Sequence, residues 1–283
     1  MNVSDAMTPR SELVTVSLPG SRDDALEYLQ DREFSSVPVV KETDGGEQYR
    51  GLVSRESLIE QPDEDQLALL MDEVPTVERD ASVEELAELM ATENARRIPV
   101  VDGELEGIIT ITDVIRAIAT GDVDAETSVE ELATTDINTT YEAAPLLVGM
   151  RELFYANVPY AVVLDGDGDP AGMLTEVDIL DVARVVEEEE RTGNSFADQD
   201  NDWMWEGIKG VGSRSMTVRN VELPDETVGD LMTSDLVTVS KRKTAKETAQ
   251  QMITHDIEQI PLISGDELIG VVRDMDLLEA LYE

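Results

Sequence analysis

The chain has 283 residues, with 63 acids against 21 Lys and Arg and a formal charge of −42. That balance excludes a polyanionic partner such as nucleic acid, because phosphate neutralisation rests on Lys and Arg. The absence of cysteine excludes disulfides and thiolate chemistry, and a single histidine, His255, argues against a metal site of the zinc type.

In chain order, a first unit is expected over 6–61. It opens with Met7-Thr8-Pro9, then a short strand around Val14 to Val16, a helix from about Ser21, and two apolar strands around Pro38 and Gly51. Ser54 and Ser57 follow. The second unit, 70–120, is the cleanest. Pro75-Thr76-Val77 leads in, Ser82 caps a helix carrying Leu86, Ala87 and Met90, and the runs 98–101 and 107–111 flank an Asp102-Gly103 turn. A closing helix follows with Val114, Ile115 and Ile118 on one face. Arg96-Arg97, just before its first hairpin strand, is the arrangement expected where an anion is held; pairing with local acids such as Glu93 is the other reading.

The third unit, 127–190, is expected to have its first helix interrupted by Ala144-Pro145 and Gly149. Its turn Asp165 to Pro170, with Glu176 at the twelfth place, imitates calcium-loop spacing. Pro170 stands where the sharp turn wants glycine, so a solvated hairpin turn without metal is expected. Residues 191–227 read as an acidic linker with Trp203 and Trp205, expected to pack on the chain's own repeats, with a docking patch for another protein as the other reading. In the fourth unit, 228–283, Lys241-Arg242-Lys243 precede the helix that ends near His255. They either balance nearby acids or await an anion, and the anion is the expectation.

These units are one motif written four times. Pro38, Pro99, Pro159 and Pro261 align, with Leu29, Met90, Met150 and Met252 nine residues earlier, and Gly51, Gly107, Gly172 and Gly270 open the second strands. After each glycine comes a pair: Ser54 and Ser57, Thr110 and Asp113, Thr175 and Asp178, Arg273 and Asp276. Thr-x-x-Asp at a helix start can be a plain capping box. Arg273 lacks a capping oxygen, so Asp276 suggests a further role for the carboxylate and is expected to matter less to stability than Asp113.

At these residues the sequence resembles the cystathionine-β-synthase (CBS) domain family, whose repeat ends in Gly-apolar-apolar-Thr/Ser-x-x-Asp. The resemblance implies an α/β fold of four CBS repeats, each a short sheet with flanking helices, paired into two Bateman modules forming a disc. It implies a regulatory protein, not an enzyme, that requires no cofactor and binds an adenosine-containing ligand: AMP, ADP, ATP or S-adenosylmethionine. Asp113, Asp178 and Asp276 would take ribose hydroxyls, and Thr110 and Thr175 would face the phosphate side. Ile98, Val158 and Ile260 would wall the adenine, and Arg97, Arg273, Lys241 and Lys243 would supply positive charge. The other class left open is a structural or partner-docking repeat protein without a small molecule, with a homodimer or a regulated protein as partner.

No apolar run approaches the ~20 residues that cross a bilayer, and the N-terminus lacks signal-peptide regions, so a cytoplasmic location is expected. Only five of the bases are lysine. Such a surface reads as salt-adapted, tolerable where the Debye length falls to about 3 Å in molar salt.

Overall fold

The computed structural model describes the chain except residues 32–35, 62–63, 183, 191–215, 266 and 283. The expectation for Trp203 and Trp205 lies outside the described residues. The chain divides into two compact units, one of residues 1–135, 237–264 and 269–283, the other of residues 136–236 and 265–268.

One plan recurs in each repeat. An opening helix (Arg22–Asp31, Val83–Glu93, Leu146–Ala156 or Ala245–His255) leads to a hairpin, and a closing helix follows the hairpin at once. The hairpins are Ser36–Thr43 with Gly46–Ser54, Arg97–Asp102 with Glu104–Thr110, Tyr160–Leu164 with Pro170–Thr175, and Gln259–Ser264 with Glu267–Arg273. A short lead strand lies parallel to the first hairpin strand, with Val16 beside Val39, Thr140 beside Val163 and Val239 beside Leu262. In repeat 2 it shrinks to one bridge, Val77 to Val100.

Local chemistry explains these boundaries. Ser82 and Thr244 each accept the N–H of a glutamate three residues on, whose carboxylate returns to the cap N–H. Three opening helices end on a left-handed residue, Asn94, Asn157 or Asp256, at φ 50° to 54°. The expected break at Gly149 does not occur: the helix runs Leu146–Ala156 with Pro145 before it. Gly149 lies buried inside, where a Cβ would come within 2.8 Å of Val228 and 2.9 Å of Leu174. Glycine here allows close packing rather than ending the helix. The Asp165 turn is a hairpin turn, in which Asp165 Oδ1 accepts the N–H groups of Asp167 and Asp169, both at 2.9 Å. Part of the expected linker is structured, since Met216–Glu222 pairs antiparallel with Arg184–Glu190.

The repeats exchange segments. Thr8 and Pro9 pair with Ile108 and Gly107 of repeat 2, while Asp72, at the start of repeat 2, pairs with Leu52 of repeat 1. Thr134 pairs with Val271 in the first unit, and Thr233 with Met173 in the second. Each exchanged segment follows a one-turn helix (Val3–Ala6, Leu67–Leu70, Val129–Leu132 or Val228–Leu231). The repeated glycine is where the exchanged backbone crosses. A Cβ would lie 2.7 Å from the Asp72 carbonyl oxygen at Gly51, 2.7 Å from that of Thr233 at Gly172 and 3.0 Å from that of Thr134 at Gly270, and against that of Thr8 at Gly107.

In the third repeat the register differs from the sequence alignment. Tyr160 pairs with Thr175 as Arg97 pairs with Thr110, so Val162, not Pro159, takes the place of Pro99. Leu153, buried, replaces Met150 as the counterpart of Met90, and Ala161 replaces Val158 as that of Ile98. A slip of three residues keeps nearly the same helical face, which is why the apolar pattern tolerated it.

In the first unit, repeats 2 and 4 share one core. Val114, Ile115 and Ile118 of the closing helix Ile111–Thr120 cluster with Ala245, Ala249 and Met252 of the opening helix of repeat 4. Among the described residues, no helix is long and apolar enough to cross a membrane.

Candidate functional site

Each repeat has a corner where its first hairpin strand begins beside the last residue of its second, at the N-terminus of the closing helix. Repeat 2 places Arg97 opposite Thr110. Three residues on, Asp113 Oδ2 accepts the Thr110 N–H at 2.9 Å and the Thr110 hydroxyl at 2.7 Å, and Oδ1 accepts Arg116 Nη1 at 3.1 Å. The sequence-predicted Arg97 and Thr110 therefore stand opposite one another, and Thr110 bonds to Asp113.

Arg96, just before the strand, and Arg97, its first residue, have different uses. Arg96 binds Asp274 and Glu258. Arg97 is half-buried and has no hydrogen-bond or ion-pair partner among the described residues. Burial, and then repulsion by Arg96, lower its pKa, with Glu258 opposing them. An arginine stays protonated regardless, so this corner holds a partly dehydrated positive charge without an ion-pair partner among the described residues, in a chain of 63 acids.

The other corners differ. In repeat 3, Asp178 Oδ2 accepts the Thr175 N–H at 2.8 Å and its hydroxyl at 2.7 Å, but the residue opposite is the buried Tyr160, not a cation. In repeat 1, Ser54 and Ser57 cap one another and Ser36 stands opposite. In repeat 4, Asp276 is buried and accepts the Arg273 N–H at 2.8 Å and its Nε at 3.0 Å. Asp276 therefore does cap: the backbone N–H needs no capping side chain, and the Arg273 guanidinium fills the carboxylate. The contrast drawn from the sequence between Asp276 and Asp113 does not hold.

A consequence is testable by denaturation in constant high salt. Asp276→Asn is expected to cost about 1–3 kcal/mol, trimmed because the Arg273 side chain is 46% exposed. Asp113→Asn keeps an acceptor for the cap and is expected to cost less than ~1 kcal/mol. Equal losses would contradict the burial difference.

A CBS-domain family model matches residues 3–64, 67–120, 123–184 and 228–283. The chain belongs to the CBS-domain family. The uncharacterized protein MJ1404 of Methanocaldococcus jannaschii is 25% identical over an alignment of 283 positions that covers 99% of this chain and 62% of that protein. The chain thus spans less than two thirds of that relative. An uncharacterized conserved protein from Pyrococcus horikoshii superposes with a TM-score of 0.69 at 26% identity, over 99% of this chain and 100% of that one. Protein MJ1225 from Methanocaldococcus jannaschii, a proposed archaeal homologue of g-AMPK, gives a TM-score of 0.65 at 18% identity over 99% of both chains, a likeness of fold.

Four sequence-predicted site residues of these CBS repeats lie elsewhere or are closed. Ile98 is fully buried in the core, so its side chain offers no surface to a base, and Ile260 is equally buried. Lys241 and Lys243 follow the lead strand of repeat 4, whose Ser240 pairs with Ile263, four residues and about 13 Å along the strand from the Gln259 end that forms the corner. Lys241 lies 3.7 Å from Glu130, and Lys243 donates to Glu247 at 2.6 Å. They balance acids, the reading the sequence left second. The cross-repeat role of Arg96 was missed, because its partners Glu258 and Asp274 lie in another CBS repeat.

Proposed function

We propose that this CBS-domain protein is a regulatory sensor of adenosine nucleotides, with repeat 2 as its principal site. The observation that carries this reading is Arg97, without a hydrogen-bond or ion-pair partner among the described residues, on the strand position opposite Thr110, whose helix start carries Asp113. A phosphate would pair with Arg97 beside the positive end of the closing-helix dipole, while Asp113 has remaining acceptor capacity for ribose hydroxyls. The other corners lack this combination: repeat 1 has serines at all three matching positions, repeat 3 has no opposed cation, and in repeat 4 carboxylate and guanidinium neutralise each other.

The same charge logic orders the candidate ligands. AMP, ADP and ATP bring phosphates to Arg97, whereas S-adenosylmethionine brings a sulfonium cation to a site where Arg97 already carries positive charge. The nucleotides are favoured. We read the protein as acting through ligand-dependent regulation rather than catalysis, since the corner offers anion and hydroxyl recognition without a nucleophile or paired general acid and base.

Titration calorimetry in high salt tests this. Phosphate-bearing adenosine ligands are expected to bind with a stoichiometry near one, and S-adenosylmethionine at least tenfold more weakly. Absence of heat and of thermal stabilisation with every adenosine compound at millimolar concentration would favour a docking repeat protein instead.

A further inference from the structure

Repeats 2 and 4 meet in a reciprocal way. The closing helix of repeat 2 lies on the opening helix of repeat 4, and the opening helix of repeat 2 lies on the C-terminal turn Leu278–Leu281 of repeat 4. Such an approximate two-fold sets equivalent positions of the two repeats opposite each other. Arg96 and Glu258 are equivalent. Each follows a left-handed residue by two, and each carbonyl accepts the first N–H of its closing helix, from Ile111 at 2.9 Å and Asp274 at 2.8 Å. They bind one another, Nη2 to Oε1 at 2.9 Å.

The same guanidinium grips Asp274 with both terminal nitrogens, Nη1 to Oδ1 at 3.0 Å. Asp274 is 6% exposed and holds the position that in repeat 2 belongs to Ile111, 2% exposed. An acid at a buried, otherwise apolar position demands a partner, and Arg96 supplies it across the interface. Burial disfavours the Arg96 cation, yet the hydrogen bond and field of Asp274, with help from Glu258, raise its pKa above the ordinary value. Asp274 carries most of the effect, since the Glu258 side chain is 65% exposed.

We propose that Arg96, Asp274 and Glu258 form a charge key that matches repeat 2 to repeat 4 in preference to a second copy of either repeat. Two copies of repeat 2 meeting through this face would set Arg96 against Arg96, with Ile111 where Asp274 should be. Two copies of repeat 4 would set Glu258 and Asp274 against their duplicates. Both pairings leave like charges partly dehydrated, and only the mixed pairing cancels them. The key explains how near-equivalent helical faces on one chain choose the intramolecular partner, and it does not depend on what binds at Arg97.

Charge reversal in the full chain at molar salt tests it. Arg96→Glu gathers three acids, and Glu258→Arg with Asp274→Arg gathers three bases. Each is expected to lower the melting temperature by on the order of 10 °C and to raise the mass seen by light scattering, as apolar helix faces open. Combining all three reversals restores opposite signs and is expected to regain most of the melting temperature and the wild-type mass. A purely local role for Arg96 would not be rescued by changes in another repeat. Half-reversed chains that melt and scatter like the wild type, or a triple variant no better than the worse of them, overturn the proposal.

Discussion

Arg97→Met is expected to weaken binding of an adenosine nucleotide roughly tenfold to a hundredfold, the equivalent of losing a hydrogen bond between charged groups worth about 1.5–3 kcal/mol. Stability is expected to stay level or rise slightly. Arg97 is half-buried without a partner among the described residues, so its removal takes away a dehydrated charge and leaves no anion stranded. The methionine keeps most of the aliphatic volume that packs beside the strand. Arg97→Lys is expected to fall between, because it keeps a charge but loses the planar fork that pairs with phosphate. Calorimetry and thermal melting on the same samples separate the readings. Lost affinity at unchanged melting temperature marks a ligand residue; a fall of several degrees with unchanged affinity would make Arg97 structural and remove repeat 2 as a site.

What the sequence made legible was local. The four-fold repeat, the hairpin at Asp102-Gly103, the Ser82 cap and the apolar face of Val114, Ile115 and Ile118 depend on neighbours within a turn or a hairpin, and such patterns survive in one dimension. The Thr110 and Asp113 pair was legible for the same reason. Pairings set at a distance were not. Arg96 and Arg97 look alike in sequence, yet one is consumed by Asp274, 178 residues away, and the other is left unpartnered among the described residues. Lys241 and Lys243 looked like an anion cradle because Glu130 is far off in sequence, and because the i,i+4 partner Glu247 was not weighed. In repeat 3 a proline just before the strand set the alignment, and helical periodicity hid the error. The exchange of segments had its own signal: a glycine recurring inside the second hairpin strand rather than opening it, where propensity disfavours it, implies that another backbone comes close.

That glycine gives the largest stability effect expected. At Gly107 a Cβ would collide with the Thr8 carbonyl oxygen and stand 3.0 Å from Met7 Sδ, and Thr8 and Pro9 are held there by their register with Ile108 and Gly107. The obstacle is backbone, fixed in turn by the helix Val3–Ala6, whose Val3 and Ser4 N–H groups donate to the carbonyls of Ala81 and Arg79 at 2.9 Å. It cannot step aside as a flexible side chain would. Gly107→Val is therefore expected to cost about 3–5 kcal/mol, above the usual range for overpacking because a hydrogen-bonded segment must leave its site. Gly51 and Gly172, each 2.7 Å from a carbonyl oxygen, should follow, and Gly270, at 3.0 Å, should be the most tolerant of the four. Gly166→Ala, in a turn where the nearest atom is the Tyr141 hydroxyl at 3.7 Å, serves as a control expected to stay within about 0.5 kcal/mol. Urea denaturation in constant high salt gives the ranking, and limited proteolysis should release the first residues of Gly107→Val before the chain unfolds. If Gly107→Val melts with the wild type and keeps its N-terminus protected, the segment around Thr8 does not cross repeat 2 at that glycine, and the exchange of strands between repeats 1 and 2 falls with it.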